Sequence, residues 1–339
     1  GAIIAIATGG TSGKIKFALH NLSTLTASVI GFCDYFQTET INFFCLLPLY
    51  HVSGLMQFFR SFLTGGKLEI TDYKLLKKNI ASLPIYRDFF ISLVPTQLQF
   101  FLESNPQWLA EFSTVLIGGA PARRSLLARA REYRIPLALT YGMTETASQI
   151  ATLKPDDFLQ GNNSSGRVLP HAHIKILNDQ NSTGDRVGLI QIEADSLCLG
   201  YYPQLFSTTK TLVTDDLGYL DEEGYLYVVG RNSHTIITGG EKVLPVEVEI
   251  AIMATKLVKE VCIIGIQDNK WGQIVTALYI PLKPDYNGDL IKQQLQAKIG
   301  KYKIPKYWIA VDRLPYSDRG KIDYQQVNLI AQDWLSKPL

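Results

Sequence analysis

The sequence predicts an α/β protein with two parts: a large N-terminal domain of mixed and parallel sheets flanked by helices and carrying a β subdomain, then a small α+β C-terminal domain. Three observations carry that prediction. Short β-rich apolar segments alternate with longer helix-like stretches in the first half, closely spaced strands and turns follow from about Ser164, and helix and strand patterns mix again beyond Arg231. The expected boundaries are residues 1–231 for the large domain, with its β subdomain at about 164–230, and 232–339 for the small one.

In order, the strand candidates of the first half are residues 2–7, 43–47, 67–70, 90–94, 114–117 and 137–139. Helix-like stretches lie between them at 23–36, 54–63, 95–103 and 122–133, so the economical arrangement is a βαβ series with a parallel sheet covered on both faces. Strands of the β subdomain fall at 173–177, 188–193 and 224–229. In the last part Pro245 opens a helix that runs to Ala254, residues 261–266 and 274–281 read as strands, and 290–299 as a helix.

At 339 residues, 46% hydrophobic and 19% charged, the chain is long enough for two domains with buried cores. A net charge of +2 gives no field for nucleic acid, and no basic stripe is interleaved with aromatics. Cys33, Cys45, Cys198 and Cys262 lack metal-ligand or redox spacing, so buried thiols in a reducing compartment are expected. No run of about 18 apolar residues suggests a membrane span, and a cytoplasmic location is expected. Gly1 rather than Met stands first, so further sequence is expected upstream; the oligomeric state stays open, a homodimer included.

Thr8-Gly9-Gly10-Thr11-Ser12-Gly13-Lys14-Ile15-Lys16 follows the first apolar segment. Glycines let backbone N–H groups wrap an anion, hydroxyls add donors and lysine adds charge, so the loop reads as a phosphate cradle. It is not the G-x-x-x-x-G-K-[ST] loop of common nucleotide hydrolases: Gly9 to Gly13 is one residue short, and Ile15 stands where the magnesium-binding hydroxyl belongs. Tyr141-Gly142-Met143-Thr144-Glu145-Thr146 sits at the carboxyl end of an expected parallel strand, where open α/β sheets place ligands. There Glu145 either holds Mg²⁺ or caps a helix, and Thr144 can donate to a phosphate oxygen. Asp216 and Arg231 flank an expected hairpin, where they either grip a ribose or form a surface ion pair. Lys321 lies in the glycine-containing stretch Ser317-Asp318-Arg319-Gly320-Lys321.

Taken together and in chain order, these segments resemble the adenylate-forming superfamily of acyl-CoA synthetases, luciferases and peptide-synthetase adenylation domains, over essentially all of the sequence. The resemblance implies ATP and Mg²⁺ as cofactors, CoA as co-substrate, and a small C-terminal domain that acts as a mobile lid. It places Thr8, Gly9, Gly10, Thr11, Ser12, Gly13 and Lys16 on the triphosphate, and Gly119, Ala120, Tyr141, Gly142, Met143 and Thr144 on the nucleotide. Asp216 and Arg231 fall on its ribose positions, and Gly239 and Gly240 in the lid motif that approaches the thiol tunnel. Lys321, Glu145 and Thr144 take the catalytic positions, with Glu145 as metal ligand. For the acyl substrate it indicates His51, Ser53 and Gly119, although a lone histidine such as His51 equally suits a satisfied core position.

Residues 48–55, 92–98 and 141–152 look like the branch that activates 2-succinylbenzoate, an aromatic carboxylic acid of menaquinone and phylloquinone biosynthesis, especially its cyanobacterial form. Another acyl- or aryl-CoA ligase, or a nucleotide-binding module without turnover, are the alternatives. Three positions depart from the family pattern: Ile15 replaces a proline, Asp215 a glycine, and His234 the usual hinge aspartate or lysine.

Overall fold

The computed structural model describes residues 2–9, 15–78, 83–178, 186–206, 211–316 and 322–336. Contacts divide the chain into two compact units, Gly1–Thr214 with Gly218–Val228, and Asp215–Leu217 with Val229–Leu339.

The first unit begins with β1 (Ile3–Gly9) and β2 (Ile15–Asn21), followed by α1 (Leu22–Phe36), β3 (Asn42–Cys45), α2 (Val52–Leu63), β4 (Leu68–Ile70) and α3 (Tyr73–Leu76). Next come β5 (Phe89–Leu93), α4 (Pro95–Ser104), α5 (Pro106–Ala110), β6 (Thr114–Ile117), α6 (Arg124–Glu132), β7 (Leu137–Met143) and β8 (Ser148–Thr152). A seven-stranded sheet has the order β4-β3-β5-β6-β7-β8 and then β9 (Arg167–Val168), with α7 (Pro155–Leu159) between its last two strands in sequence. Its β4 to β7 part is parallel, whereas β8 and β9 run antiparallel.

Alternation along the strands sorts the core onto two faces. Phe43, Phe90, Leu116 and Ala138 meet Phe32 of α1 on one face. Phe44, Ile91, Val115 and Leu137 meet Leu98, Phe101, Leu102, Leu127 and Ala130 of α4 and α6 on the other. Each large apolar side chain buried in this way contributes about 1.5–3 kcal/mol, so the parallel strands stay put because both of their faces are covered. The start of α1 is fixed by a capping box in which Asn21 Oδ1 accepts from Thr24 N at 2.9 Å and Asn21 N donates to Thr24 Oγ1 at 3.2 Å.

The expected first strand is not part of the parallel sheet. Thr8 pairs with Lys16 and Ile3 with Asn21, so β1 and β2 form an antiparallel hairpin. That hairpin joins β12 (Gly200–Tyr201) and β13 (Gln204–Leu205) in a separate four-stranded sheet. A third sheet holds β10 (Ala172–Leu177), β11 (Gly188–Ala194), β14 (Thr211–Leu220) and β15 (Leu226–Arg231) in that order. The strand expected at 137–139 is longer because β8 pairs with Thr140 to Met143 beyond the last parallel neighbour.

The second unit contains β16 (Ile236–Thr238), β17 (Glu241–Val243), α8 (Pro245–Met253), β18 (Val258–Asp268), β19 (Gly272–Pro281), α9 (Gly288–Leu295), β20 (Tyr307–Ala310) and α10 (Tyr324–Ser336). Its sheet runs β17-β16-β19-β18, with β20 parallel to β19. Val248, Ile252, Ile291 and Leu295 cover one face, while Val327 and Ala331 join Cys262, Ile264 and Leu278 on the other.

Glu249 of α8 is held inside this unit, its Oε1 accepting from Ile263 N at 2.9 Å. Burial raises its pKa from 4.5 to about 7, outweighing that hydrogen bond. The folded carboxyl therefore keeps its proton to higher pH than the unfolded one. Its contribution to stability is complete below pH 4.5 and is lost as pH rises to about 7. The Glu249→Gln variant is expected to flatten this decline, worth on the order of 3 kcal/mol, in urea melts across that range; an unchanged pH slope would refute the assignment.

Candidate active site

The parallel strands bring several of the expected residues to one edge. His51 with Ser53 and Gly119 with Ala120 follow the carboxyl ends of β3 and β6, Tyr141 to Met143 end β7 with Thr144 next, and these strands are joined through β5 in one continuous stretch of sheet. This edge is where an α/β sheet leaves room for a ligand, because the strands end and the connections to the helices diverge. Gly142 is required by close packing: a Cβ there would lie 2.1 Å from Ser148 O at the bulge between β7 and β8. His51 is the residue before α2, partly exposed, with its ring 4.5 Å from that of Tyr50. Ser53 is exposed in the first turn of α2, and its carbonyl accepts from Gln57 Nε2 at 2.9 Å.

Thr144, Glu145 and Thr146 form a single 3-10 turn after β7. Glu145 is only 9% exposed, and its Oε1 accepts a hydrogen bond from the Tyr201 hydroxyl at 2.6 Å. Its carbonyl accepts from Cys198 N at 2.8 Å. Glu145 therefore caps no helix, and its carboxylate is placed by a partner remote in sequence. His20, at the far end of β2, donates from Nε2 to Thr144 O at 2.8 Å, and its Nδ1 lies 3.0 Å from Thr24 Oγ1. Burial lowers the His20 pKa, which favours the neutral ring with its proton on Nε2. Two residues of the hairpin thus face the same turn: His20 holds its backbone, and Lys16 has its Nζ 5.3 Å from the centre of the Tyr201 ring.

Thr8, Gly9 and Lys16 lie on the paired ends of β1 and β2. Gly10, Thr11, Ser12, Gly13 and Lys321 lie outside the described residues. A lone buried carboxylate suits Mg²⁺, which keeps several waters and takes its remaining ligands from substrate phosphates. Among the described residues no group of three His, Cys, Asp or Glu side chains forms a complete cage, so Glu145 fits the cation only together with a polyphosphate.

Asp216 and Arg231 belong to the second unit, and there Arg231 Nε donates to Asp216 Oδ1 at 3.1 Å. Asp216 is 9% exposed and the Arg231 side chain 41%, which leaves the arginine side of the pair open to solvent. Asp215 instead accepts from Ser233 N at 3.0 Å and from its hydroxyl. His234 packs its ring on Tyr324, 4.2 Å between centres, and burial followed by the Arg231 charge lowers its pKa. Gly239 and Gly240 make the two-residue turn of the β16–β17 hairpin with φ of +59° and +87°, a turn whose positive angles side chains other than Asn or Asp rarely adopt.

Three further buried or half-buried polar side chains lie outside the motifs. Tyr201 and His20 reach the Glu145 turn through tertiary pairing that no local spacing announces. Arg60 does carry a signal: it is a lone charge within the apolar run of α2, where Ser53, Gln57 and Arg60 recur at helical spacing. It is 1% exposed, stands over the Phe32 ring at 4.3 Å, and has Nε and Nη2 without hydrogen-bond partners among the described residues. Gln57 Oε1 and both ring nitrogens of His171 are likewise buried and unpartnered. Burial pulls Arg60 down to about 9, and burial with the Arg60 charge pulls His171 to about 4, so at neutral pH a cation is enclosed beside a neutral imidazole.

Comparison with known proteins matches residues 2–202 to the AMP-binding enzyme family and residues 247–321 to the AMP-binding enzyme C-terminal domain. The chain is 35% identical over 322 residues to a 2-succinylbenzoate–CoA ligase of Listeria monocytogenes, covering 93% of this chain and 67% of that protein. A ligase of the same name from Bacillus subtilis is 33% identical over 327 residues, with 93% and 66% covered. The o-succinylbenzoate CoA synthetase of Bacillus subtilis in complex with its acyl-adenylate superposes with a TM-score of 0.81 at 31% identity, covering 95% of this chain and 68% of that one. Its complex with ATP and magnesium gives 0.80 at 32% identity, with 96% and 69% covered. The chain thus spans about two thirds of the length of these proteins.

Proposed function

Because the chain belongs to the AMP-binding enzyme family, we propose that it is an ATP-dependent acid–CoA ligase converting 2-succinylbenzoate to its CoA thioester, a step of menaquinone biosynthesis. The observation that carries this reading is the junction at Glu145, where the hairpin bearing Thr8 and Lys16 is tied to the ligand edge of the parallel sheet. What supports the reading is that the Glu145 carboxylate and the Lys16 ammonium both contact Tyr201, a carboxylate and a cation of the kinds that activation of a carboxylic acid by ATP calls for.

A substrate carboxylate oxygen attacks the α-phosphorus; the new P–O bond forms as the bond to the β-phosphate breaks, and pyrophosphate leaves. The CoA thiolate then attacks the acyl carbon, forming C–S and releasing AMP. Negative charge grows on phosphate oxygens in the first transition state, where Lys16, Lys321 and the loop hydroxyls Thr8, Thr11 and Ser12 oppose it. Mg²⁺ bound at Glu145 would supply Lewis-acid neutralisation of the same charge. Asp216 accepts the ribose hydroxyls with Arg231 holding its carboxylate in place, and the Gly118 to Ala120 connection with Tyr141 accommodates the base. 2-Succinylbenzoate retains one carboxylate after the other is activated, and Arg60 is suited to pair with it because its buried Nε and Nη2 have no hydrogen-bond partner among the described residues. Among the described residues no helix is long and apolar enough to cross a membrane, and a cytoplasmic setting would give access to ATP and CoA.

The test is pyrophosphate release from ATP on adding 2-succinylbenzoate without CoA, followed by thioester formation once CoA is added. Turnover of a different acid from a panel, with none of 2-succinylbenzoate, would move the assignment to another acyl- or aryl-CoA ligase. ATP binding without pyrophosphate release from any acid would leave a nucleotide-binding module.

A further inference from the structure

We propose that Tyr201 is the positioning residue that presents the Glu145 carboxylate to the divalent cation of ATP and couples it to Lys16. The proposal rests on the ligase reading above, since it is in that reaction that Glu145 meets a cation.

Glutamate has three side-chain torsions, and a carboxylate at a single-turn helix is free to swing unless something holds its end. Here the Tyr201 phenol commits Oε1 at 2.6 Å, which fixes the plane of the group and leaves the rest of the carboxylate to a cation. The phenol is itself held from behind. Tyr201 pairs with Ala18 and Gly200 with Leu19 across β12 and β2, Leu199 N donates to Leu19 O at 2.7 Å, and Tyr202 N donates to Phe17 O at 2.9 Å. Phe206 supports the ring edge-on at 5.5 Å. Cys198, three residues before Tyr201, bonds the Glu145 carbonyl, so one short segment grips the acid at both backbone and side chain.

Lys16 stands over the same ring, its Nζ 5.3 Å from the centre. One side chain therefore bridges the two charged groups that a metal–phosphate complex must meet together. Glu145 and Lys16 carry opposite charges and each contacts Tyr201, one at the hydroxyl and the other over the ring. A ring between them, attracting the ammonium through its face and the carboxylate through its hydroxyl, keeps them near but apart. Hydrogen-bond partners of metal-ligating carboxylates usually change metal affinity or activity by about 10–100-fold when removed.

The experiment compares the whole chain with its Tyr201→Phe variant, which keeps the ring and its Lys16 and Phe206 contacts and removes one oxygen. Two readouts are taken: Mn²⁺ binding to the protein–ATP complex by electron paramagnetic resonance, and the Mg²⁺ concentration giving half-maximal pyrophosphate release. Both are expected to shift about tenfold toward weaker binding, with activity recovering at high Mg²⁺. In a cycle with Glu145→Gln, adding Tyr201→Phe is expected to cost no further cation affinity, because the phenol acts through the acid. Unchanged Mn²⁺ affinity would overturn the proposal, as would an activity loss equal at every Mg²⁺ concentration, which marks a merely structural role. Should 2-succinylbenzoate not turn over, the ligase reading fails while Mn²⁺ binding still decides the role of Tyr201. Should Tyr201→Phe not fold, Mn²⁺ binding by Glu145→Gln decides: affinity equal to that of the unaltered chain removes the acid, and the proposal with it.

Discussion

Replacing Lys321 with alanine is expected to lower 2-succinylbenzoate-dependent pyrophosphate release by about 10³-fold, the upper range for loss of one charge-stabilising donor, while thioester formation from supplied acyl-adenylate stays within a few-fold. The two half-reactions differ in where charge develops. Adenylation piles negative charge on the α-phosphate as the nucleophile arrives and pyrophosphate departs, so an ammonium there lowers the barrier. Thiolysis places its charge on the acyl carbonyl oxygen instead, and a lysine at the phosphate gives that step little. The substitution is a clean probe because the segments on either side have anchors of their own. Tyr316 and Ile322 form an antiparallel bridge, and the Tyr316 hydroxyl donates to Glu260 at 2.9 Å. Rapid-quench measurement of each half-reaction separates the steps; equal loss of both would remove Lys321 from the adenylation chemistry.

The parts of this chain that could be read from sequence are those whose physics is local. β5 and β6 are short apolar runs buried on both faces, so their composition declares them, and Pro95 and Pro245 mark helix starts by occupying first-turn positions where a missing N–H is harmless. The hairpin strand β2 was harder to recognise. Its first three residues are exposed and its next three buried, a pattern set by what packs on it rather than by alternation. The Glu145 motif was legible as residues and not as geometry, because the group that orients it comes from Tyr201, 56 positions away in sequence. Asp216 and Arg231 were legible as a pair, since their ion pair closes within adjoining strands of one hairpin. His171 gave no signal, for a histidine before a strand looks the same whether it is solvated or sealed beside a buried arginine.

Arg60 yields the second large effect, and its sign differs between function and stability. A guanidinium that is 1% exposed, with two nitrogens that find no hydrogen-bond partner among the described residues, is held at a cost, since desolvation of the charge is not offset by a counterion among those residues. Methionine nearly matches its length without the charge. The Arg60→Met variant is therefore expected to melt at the same or a higher temperature than the unaltered protein. Its kcat/KM for 2-succinylbenzoate should nevertheless fall by about 10²-fold, because the carboxylate left on the ring then enters a buried site without its partner. The discriminating substrate is the analogue that keeps the succinyl arm and lacks the ring carboxylate. The unaltered enzyme should prefer 2-succinylbenzoate over this analogue by about 10²-fold, and Arg60→Met should erase most of that preference by losing the dicarboxylate rather than by gaining the analogue. His171 sharpens the test: burial, the larger cause of its lowered pKa, remains when the Arg60 charge is gone, so the imidazole still favours its neutral form in the variant. Steady-state kinetics with both acids at saturating ATP and Mg²⁺ measure the two ratios. If Arg60→Met retains the preference, the ring carboxylate is recognised elsewhere and the buried guanidinium serves the fold alone.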